Sequence, residues 1–280
     1  MSGTSDAAGA LHLTPLARRT PLQFGRIVVV GGGCYGGYYV RQLGRARAAG
    51  AVEWRELLVV DRNPECALFQ AVRRGEVDAA PVCLTREWDA FFQAYLDGAA
   101  DGTGYALSDA IVPSPLMPHL LFHWVRDRAT RRWPGREIAT AALDRVPPTP
   151  WERAGEGAHY VSFATWMCPI NCIEPRLCPK TRGERNWSMP SAIRTWAEAG
   201  ANDEPTGTAV LQCTHRVYGV GMIDVQDVID ADRLVASLAD GARADVLVVS
   251  ASHCHGAIGR LLVGAPVDGA ARGSSPHAAV

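Results

Sequence analysis

The stretch "RIVVVGGGCYGGYYVRQLGRARAAG", residues 26–50, decides the fold. Arg26 to Val30 is a β-branched apolar run, the kind carried by a strand buried on both faces. Three glycines follow it, and then a stretch that reads as a helix up to Gly50. "ELLVVDRNPE", residues 56–65, supplies a second buried strand ending at Asp61. Strand, glycine turn, helix and strand in that order make a βαβ unit, which implies parallel strands.

Gly31, Gly33 and Gly36 stand in G-x-G-x-x-G spacing. The first glycine permits a tight turn, the second lets a pyrophosphate approach the backbone, and the third packs the helix on the strand. The helix N-terminus offers phosphates unpaired N–H groups and a partial positive charge. Asp61 is placed to accept hydrogen bonds from ribose hydroxyls. Over residues 26–62 the chain resembles the Rossmann NAD(P)- and FAD-binding families. That resemblance implies NAD or NADP held by Gly31, Gly33, Gly36 and Asp61. Asp61 favours NAD, whereas Arg62 could hold a 2′-phosphate. Two other readings stay open: S-adenosylmethionine, whose transferases also place glycines and an acid this way, and a glycine loop that only packs. Cys34 inside the loop reads as a small space-filler or as a thiol activated by the helix N-terminus.

Further along, "LTREWDAFFQAYLDG" reads as a helix capped by Thr85. Residues 109–133 give a short strand, a proline break and a helix. Residues 134–158, rich in Pro, Gly and charge, read as irregular. "HYVSFAT" reads as a strand, "SMPSAIRTWAEAG" as a helix with Pro190 near its start, and "GANDEPTGT" as a loop. "AVLQCTHRVYGVGMI" reads as a strand and its exit, residues 224–241 as a helix, and "ADVLVVSASHCHG" as a final buried strand. The expected fold is α/β: a Rossmann-like, doubly wound, mostly parallel sheet with a cysteine-rich insertion. Its expected divisions are a flexible arm (1–24), a nucleotide-binding half (25–135), the insertion (136–205), a β-α-β returning to the sheet (206–266) and a flexible tail (267–280).

The insertion contains "WMCPINCIEPRLCPKT", residues 166–181, with Cys168, Cys172 and Cys178 in C-x3-C-x5-C spacing. An odd count in a reducing compartment disfavours a disulfide. Structural zinc asks for paired C-x2–4-C knuckles and four ligands, and only the first gap fits. An iron–sulfur cluster tolerates irregular loops, and the Cys178–Pro179 pair resembles the last cysteine of bacterial ferredoxin runs, although the spacing departs from theirs. The reading is therefore a cluster on Cys168, Cys172 and Cys178, with zinc as the alternative. For the fourth ligand "VVSASHCHG" ranks Cys254 first, beyond the carboxyl end of a predicted strand. Cys213 ranks second and Cys34 third. Alternation places Cys213 and His215 on one side of their strand. His253 and His255 are the acid–base candidates. Lys180, Arg182 and Arg185 beside the cysteines could balance an anionic cluster or bind an acidic substrate. Trp166 could shield a cluster from water. His119 and His123 share a helix face, which reads as packing.

Composition sets the outer limits. The chain has 280 residues, 48% hydrophobic and 20% charged, so a core can form without a metal or disulfide. A formal charge of −1 argues against nucleic acid or a membrane surface as partner. No apolar run reaches membrane-spanning length and no signal peptide is read, which predicts a cytoplasmic protein. H-E-x-x-H, G-x-S-x-G and Walker A motifs are missing. Together these readings predict an NAD(P)-dependent oxidoreductase that carries an iron–sulfur cluster. It would act on a small-molecule substrate or a redox partner, and a homo-oligomer is compatible with the sequence. A non-catalytic redox or nucleotide sensor, and an S-adenosylmethionine-dependent transferase with structural zinc, are the alternatives.

Overall fold

A computed structural model describes residues 20–102, 108–155, 157–200 and 207–266. The predicted arm therefore lies largely outside the described residues, as do the tail and residues 201–206 of the predicted loop. The chain is a mixed α/β protein. Among the described residues it forms two six-stranded sheets and six helices.

The opening βαβ unit forms as the sequence predicts. β1 (Leu22–Val30) leads through the glycines into α1 (Cys34–Ala48), and β2 (Val52–Asp61) pairs with β1 in parallel. Strand alternation decides where each β1 side chain goes. Ile27 and Val29 pack on one face of the sheet, Val28 and Val30 on the other. Helix α2 (Ala67–Arg73), β3 (Val82–Thr85), α3 (Trp88–Ala100) and β4 (Ala110–Val112) complete a parallel set in the order β3-β2-β1-β4. Thr85 closes β3 instead of capping a helix; Glu87 takes the N-cap position of α3.

The expected single sheet is corrected here. After α4 (Leu120–Arg132), strands β5 (Ile138–Ala141), β6 (Trp151–Gly155) and β7 (Ala158–Ser162) begin a second sheet. Helix α5 (Met189–Glu198) follows the cysteine segment. The stretch read as one strand and its exit is three strands: β8 (Gly207–Gln212), β9 (Thr214–Val217) and β10 (Val220–Asp224). Of these, β10 and β9 extend the first sheet antiparallel, beyond β4, while β8 joins the second. After α6 (Val225–Leu238), β11 (Ala244–Ala251) pairs in parallel with β8, and β12 (His255–Val263) pairs antiparallel with β11, β7 and β5. The segment expected to return to one sheet is thus shared between two. An apolar strand needs covering on both faces, but its sequence does not say which sheet covers it.

Helices α1 and α2 cover the outer face of the first sheet. Helices α3, α4 and α6 fill the space between the sheets, where Val28 and Val30 meet the same core as Val246 and Val248. Helix α5 covers the outer face of the second sheet through Met189 and Ile193. No helix among the described residues is long and apolar enough to cross a membrane.

Candidate functional site

Two of the three glycines in G-x-G-x-x-G spacing, Gly31 and Gly36, have a steric reason. Gly31 has φ +88°, a backbone state that L side chains rarely adopt. A Cβ on Gly36 would lie 1.8 Å from the Gly31 carbonyl oxygen, so α1 packs on β1 only without it. A Cβ on Gly33 would meet nothing within 4 Å, which leaves open space above the N-terminus of α1. Asp61 sits at the end of β2, 9% exposed. Its Oδ2 accepts the Gly32 N–H at 2.6 Å and its Oδ1 the Asn63 N–H at 2.8 Å. The carboxylate therefore holds its own loop in shape. The Arg62 guanidinium beside it lies 5.0 Å from the Trp88 ring centre. Cys34 is exposed at the first residue of α1.

The cysteine segment is a series of tight turns. The Cys172 N–H donates to the Pro169 carbonyl at 2.9 Å. A second turn is closed by bonds from the Cys178 N–H to Gly183 O and from the Arg182 N–H to Cys178 O. Inside it the Thr181 N–H and hydroxyl and the Lys180 N–H point at the Cys178 sulfur, and they bring that thiol below its ordinary pKa. Cys168 goes the other way. Burial, then the neighbouring thiols Cys172, Cys254 and Cys178, and Glu174, push it up to about 11. All eight cysteines are unpaired thiols.

Cys254 reaches this group because the loop between β11 and β12 folds onto the cysteine segment, and Glu174 is what holds it there. Glu174 Oε1 accepts the Ser252 hydroxyl at 2.8 Å and the Cys254 N–H at 3.1 Å. Its Oε2 accepts the His253 N–H at 2.9 Å and lies 3.5 Å from His215 Nδ1. Burial alone would raise this carboxyl, but the bonds from His215, His253 and Ser252 outweigh it and hold it at about 2. The Cys254 sulfur accepts the Trp187 indole N–H at 3.3 Å. Burial raises the Cys254 thiol, and Trp187 and the Arg185 guanidinium against it oppose the rise. Buried Trp166 Nε1 and Arg185 Nε have no hydrogen-bond partner among the described residues.

Cys213 and His215 lie between this site and helix α1. Both face Gly221, where a Cβ would stand 2.8 Å from Cys213 Sγ and 3.6 Å from His215 Nε2. Burial, and secondarily Glu174, push the Cys213 thiol up to about 12. The same thiol raises Tyr39 on α1, which burial chiefly holds at about 12. The turn between β9 and β10 completes the bridge. Gln42 of α1 donates to Tyr218 O at 3.1 Å, and a Cβ on Gly219 would lie 2.5 Å from Ile173 Cγ2.

The predicted ligands Cys168, Cys172, Cys178 and Cys254 are thus brought into one neighbourhood. They are not drawn to the spacing of a single ion: among the described residues no group of three or more His, Cys, Asp or Glu side chains could hold one. Tetrahedral zinc at 2.3 Å from sulfur would place its thiolates about 3.8 Å apart. Of the predicted acid–base pair, His253 contributes its backbone N–H to Glu174, while His255 is exposed on β12 with Nδ1 2.9 Å from Ser162 Oγ. Glu174 and Trp187 are not singled out by the sequence, whereas Arg185, expected beside the cysteines as a balancing charge, has its guanidinium against Cys254. The available signal for Glu174 was an acid enclosed between two cysteines. A cavity of about 430 Å³ between β2, β3 and α3, lined by Arg26, Glu56, Leu84, Phe91 and Tyr95 among others, shares no residue with either site.

Residues 121–264 match the model of a family described as "Uncharacterized protein, C-terminal domain", AF_1314_C. The match runs from within α4 to just past β12, and so includes the cysteine segment and its Cys254 loop. No curated protein and no solved structure matches the chain.

Proposed function

For a chain that belongs to the AF_1314_C family by a match over slightly more than half its length, we propose an oxidoreductase that binds NAD or NADP on a Rossmann-like glycine loop and holds an iron–sulfur cluster on Cys168, Cys172, Cys178 and Cys254. The observation that carries this reading is the Glu174 clamp, which delivers Cys254 to three thiols that are already neighbours. The donor set fits the group. Four unpaired thiols are offered, N–H groups are aimed at two of the sulfurs, and Arg185 Nε and Trp166 Nε1 are buried donors without partners.

When bound, the cluster supplies one-electron chemistry or a Lewis-acidic iron. The chain's own groups do the rest. Donors from Thr181, Lys180 and Trp187 set the charge on the sulfurs. The N-terminus of α1 would hold the dinucleotide phosphates, with Gly33 leaving room for their approach. His215 lies on the α1 side of the site. Its Nδ1 lies against Glu174, while its Nε2 and the Cys213 sulfur both face Gly221.

Anaerobic purification with iron, sulfide and zinc assays tests the cluster. Cys172→Ala should abolish a broad absorbance near roughly 400 nm; retained absorbance, or an iron-free zinc protein, refutes the assignment. For the dinucleotide, Gly33→Ala should weaken NADH binding while leaving the fold intact, because its Cβ meets no protein atom. A second reading, a cluster-bearing sensor whose glycine loop only packs, is favoured by Asp61. Both of its carboxylate oxygens already serve the loop's backbone. Failure of both NADH and NADPH to bind would select it, and tight S-adenosylmethionine binding would select a transferase.

A further inference from the structure

The cysteine site is ringed by apolar side chains that the fold leaves uncovered. Met167 is 89% exposed, Ile173 and Leu177 are 53% each, and Tyr218 is 42%. These are four of the eight large hydrophobic side chains exposed among the described residues. Three of them are immediate neighbours of a proposed ligand: Met167 of Cys168, Ile173 of Cys172, and Leu177 of Cys178. Cys178 is buried and Cys168 and Cys172 are half-buried, while the residue beside each faces solvent. Tyr218 joins the collar from the β9–β10 turn, where Gly219 abuts Ile173. Water shielding alone would favour burying such side chains. Uncovered apolar side chains gathered beside one site are instead how a protein contact is built.

Charge identifies the partner. Exposed Arg176 and Glu184 pair with each other and cancel. Lys180 and Arg182 remain exposed beside them. In a chain of formal charge −1, residues 176–184 therefore carry a net charge of +2, three basic side chains against one acidic. Lys180 is also the single lysine among the 28 basic residues.

We propose that this collar is the docking surface for an acidic one-electron carrier protein, seated on Met167, Ile173, Leu177 and Tyr218 and steered by Lys180 and Arg182. The proposal rests on the cluster reading above. If Cys168, Cys172, Cys178 and Cys254 hold the cluster, it would supply the one-electron centre on this side of the contact, oxidised as the carrier is reduced or the reverse, with no covalent bond formed or broken. An apolar centre with a basic rim gives the small, fast, salt-sensitive contact that such encounters use.

The single lysine provides the assay. A plant-type [2Fe–2S] ferredoxin, an acidic carrier, serves as the probe for the iron-loaded protein. A water-soluble carbodiimide couples a carrier carboxylate to an amine, with loss of water to the reagent. At low ionic strength the expected product is a one-to-one adduct that peptide mapping assigns to Lys180, and that high salt abolishes. The Lys180→Glu/Arg182→Glu variant should lose the adduct and bind ferredoxin about tenfold or more weakly at about 10 mM ionic strength, where charges act over about 30 Å. Ferredoxin affinity unchanged by the charge reversal overturns the proposal. So does an adduct through the N-terminal amine, an adduct between two copies of this chain, or no adduct at all. Iron and sulfide measured on the same samples separate the two failures. A wild-type protein without a cluster refutes the functional reading, whereas an iron-loaded protein indifferent to the probe refutes only the docking surface.

Discussion

Replacing Glu174 by glutamine should release the His253–His255 loop from the cysteine segment. The side chain is only 11% exposed and accepts from four groups across its two oxygens. Glutamine keeps the shape and one oxygen. If that oxygen takes the Oε1 place, it still serves Ser252 and Cys254, and the amide nitrogen then confronts the His253 N–H and His215 Nδ1. One charge-assisted bond is lost, about 1.5–3 kcal/mol, and a donor is stranded at about 1–3 kcal/mol, so the cost is about 2.5–6 kcal/mol. The carboxyl itself supports this size. Holding it at about 2 where 4.5 is ordinary corresponds to about 3 kcal/mol. Against a typical total of about 5–15 kcal/mol, that opens a loop without unfolding the sheets. Cys254, 4% exposed in the closed loop, is the reporter. In the metal-free protein its alkylation by iodoacetamide, mapped by mass spectrometry, should accelerate on the order of 100-fold, since 1.4 kcal/mol is about tenfold in an equilibrium constant. The wild type should show the same release in acid. A carboxyl held below its ordinary value stabilises above about 4.5, and that contribution is lost as pH falls toward about 2. An unchanged Cys254 alkylation rate in Glu174→Gln, with an unchanged urea midpoint, would refute the clamp.

Two further outcomes follow from the fold. Gly36→Ala should cost about 3 kcal/mol or more by urea denaturation, because its Cβ meets the Gly31 backbone and α1 must move; a near-wild-type midpoint would mean that α1 does not pack so closely on β1. Burial, helped by the Arg126 and His119 charges, depresses the pKa of His123 below its ordinary 6.5. The unfolded chain therefore takes up its proton first, and stability should fall as pH drops below about 6.5. His123→Asn should flatten that slope in urea midpoints measured across the range, and parallel curves for variant and wild type would count against it.

How far the sequence could be read depended on the range of the interactions involved. Strand, glycine turn, helix and strand are contiguous between residues 26 and 61, so sterics acting over a few residues are enough to specify them. The tight turns at Cys172 and Cys178 are also local, and at Cys178 the N–H groups of Lys180 and Thr181 come from the same turn. β6 left no signal because it is exposed along its whole length and has no apolar face to alternate. β12 leaves little signal of its own because it starts at His255, with only three residues between it and the end of β11 at Ala251, so strand, turn and return strand read as one strand and its exit.

By itself, then, the sequence determined a βαβ opening with an open glycine loop, and a segment rich in thiols. Tertiary structure decided that β8 and β11 build a second sheet, since apolar strands of equal hydrophobicity find partners only in the assembled chain. It also decided that Cys254 meets the other thiols. The bonds responsible span 78 to 80 residues and converge on Glu174, a carboxylate whose importance depends on donors from a distant loop.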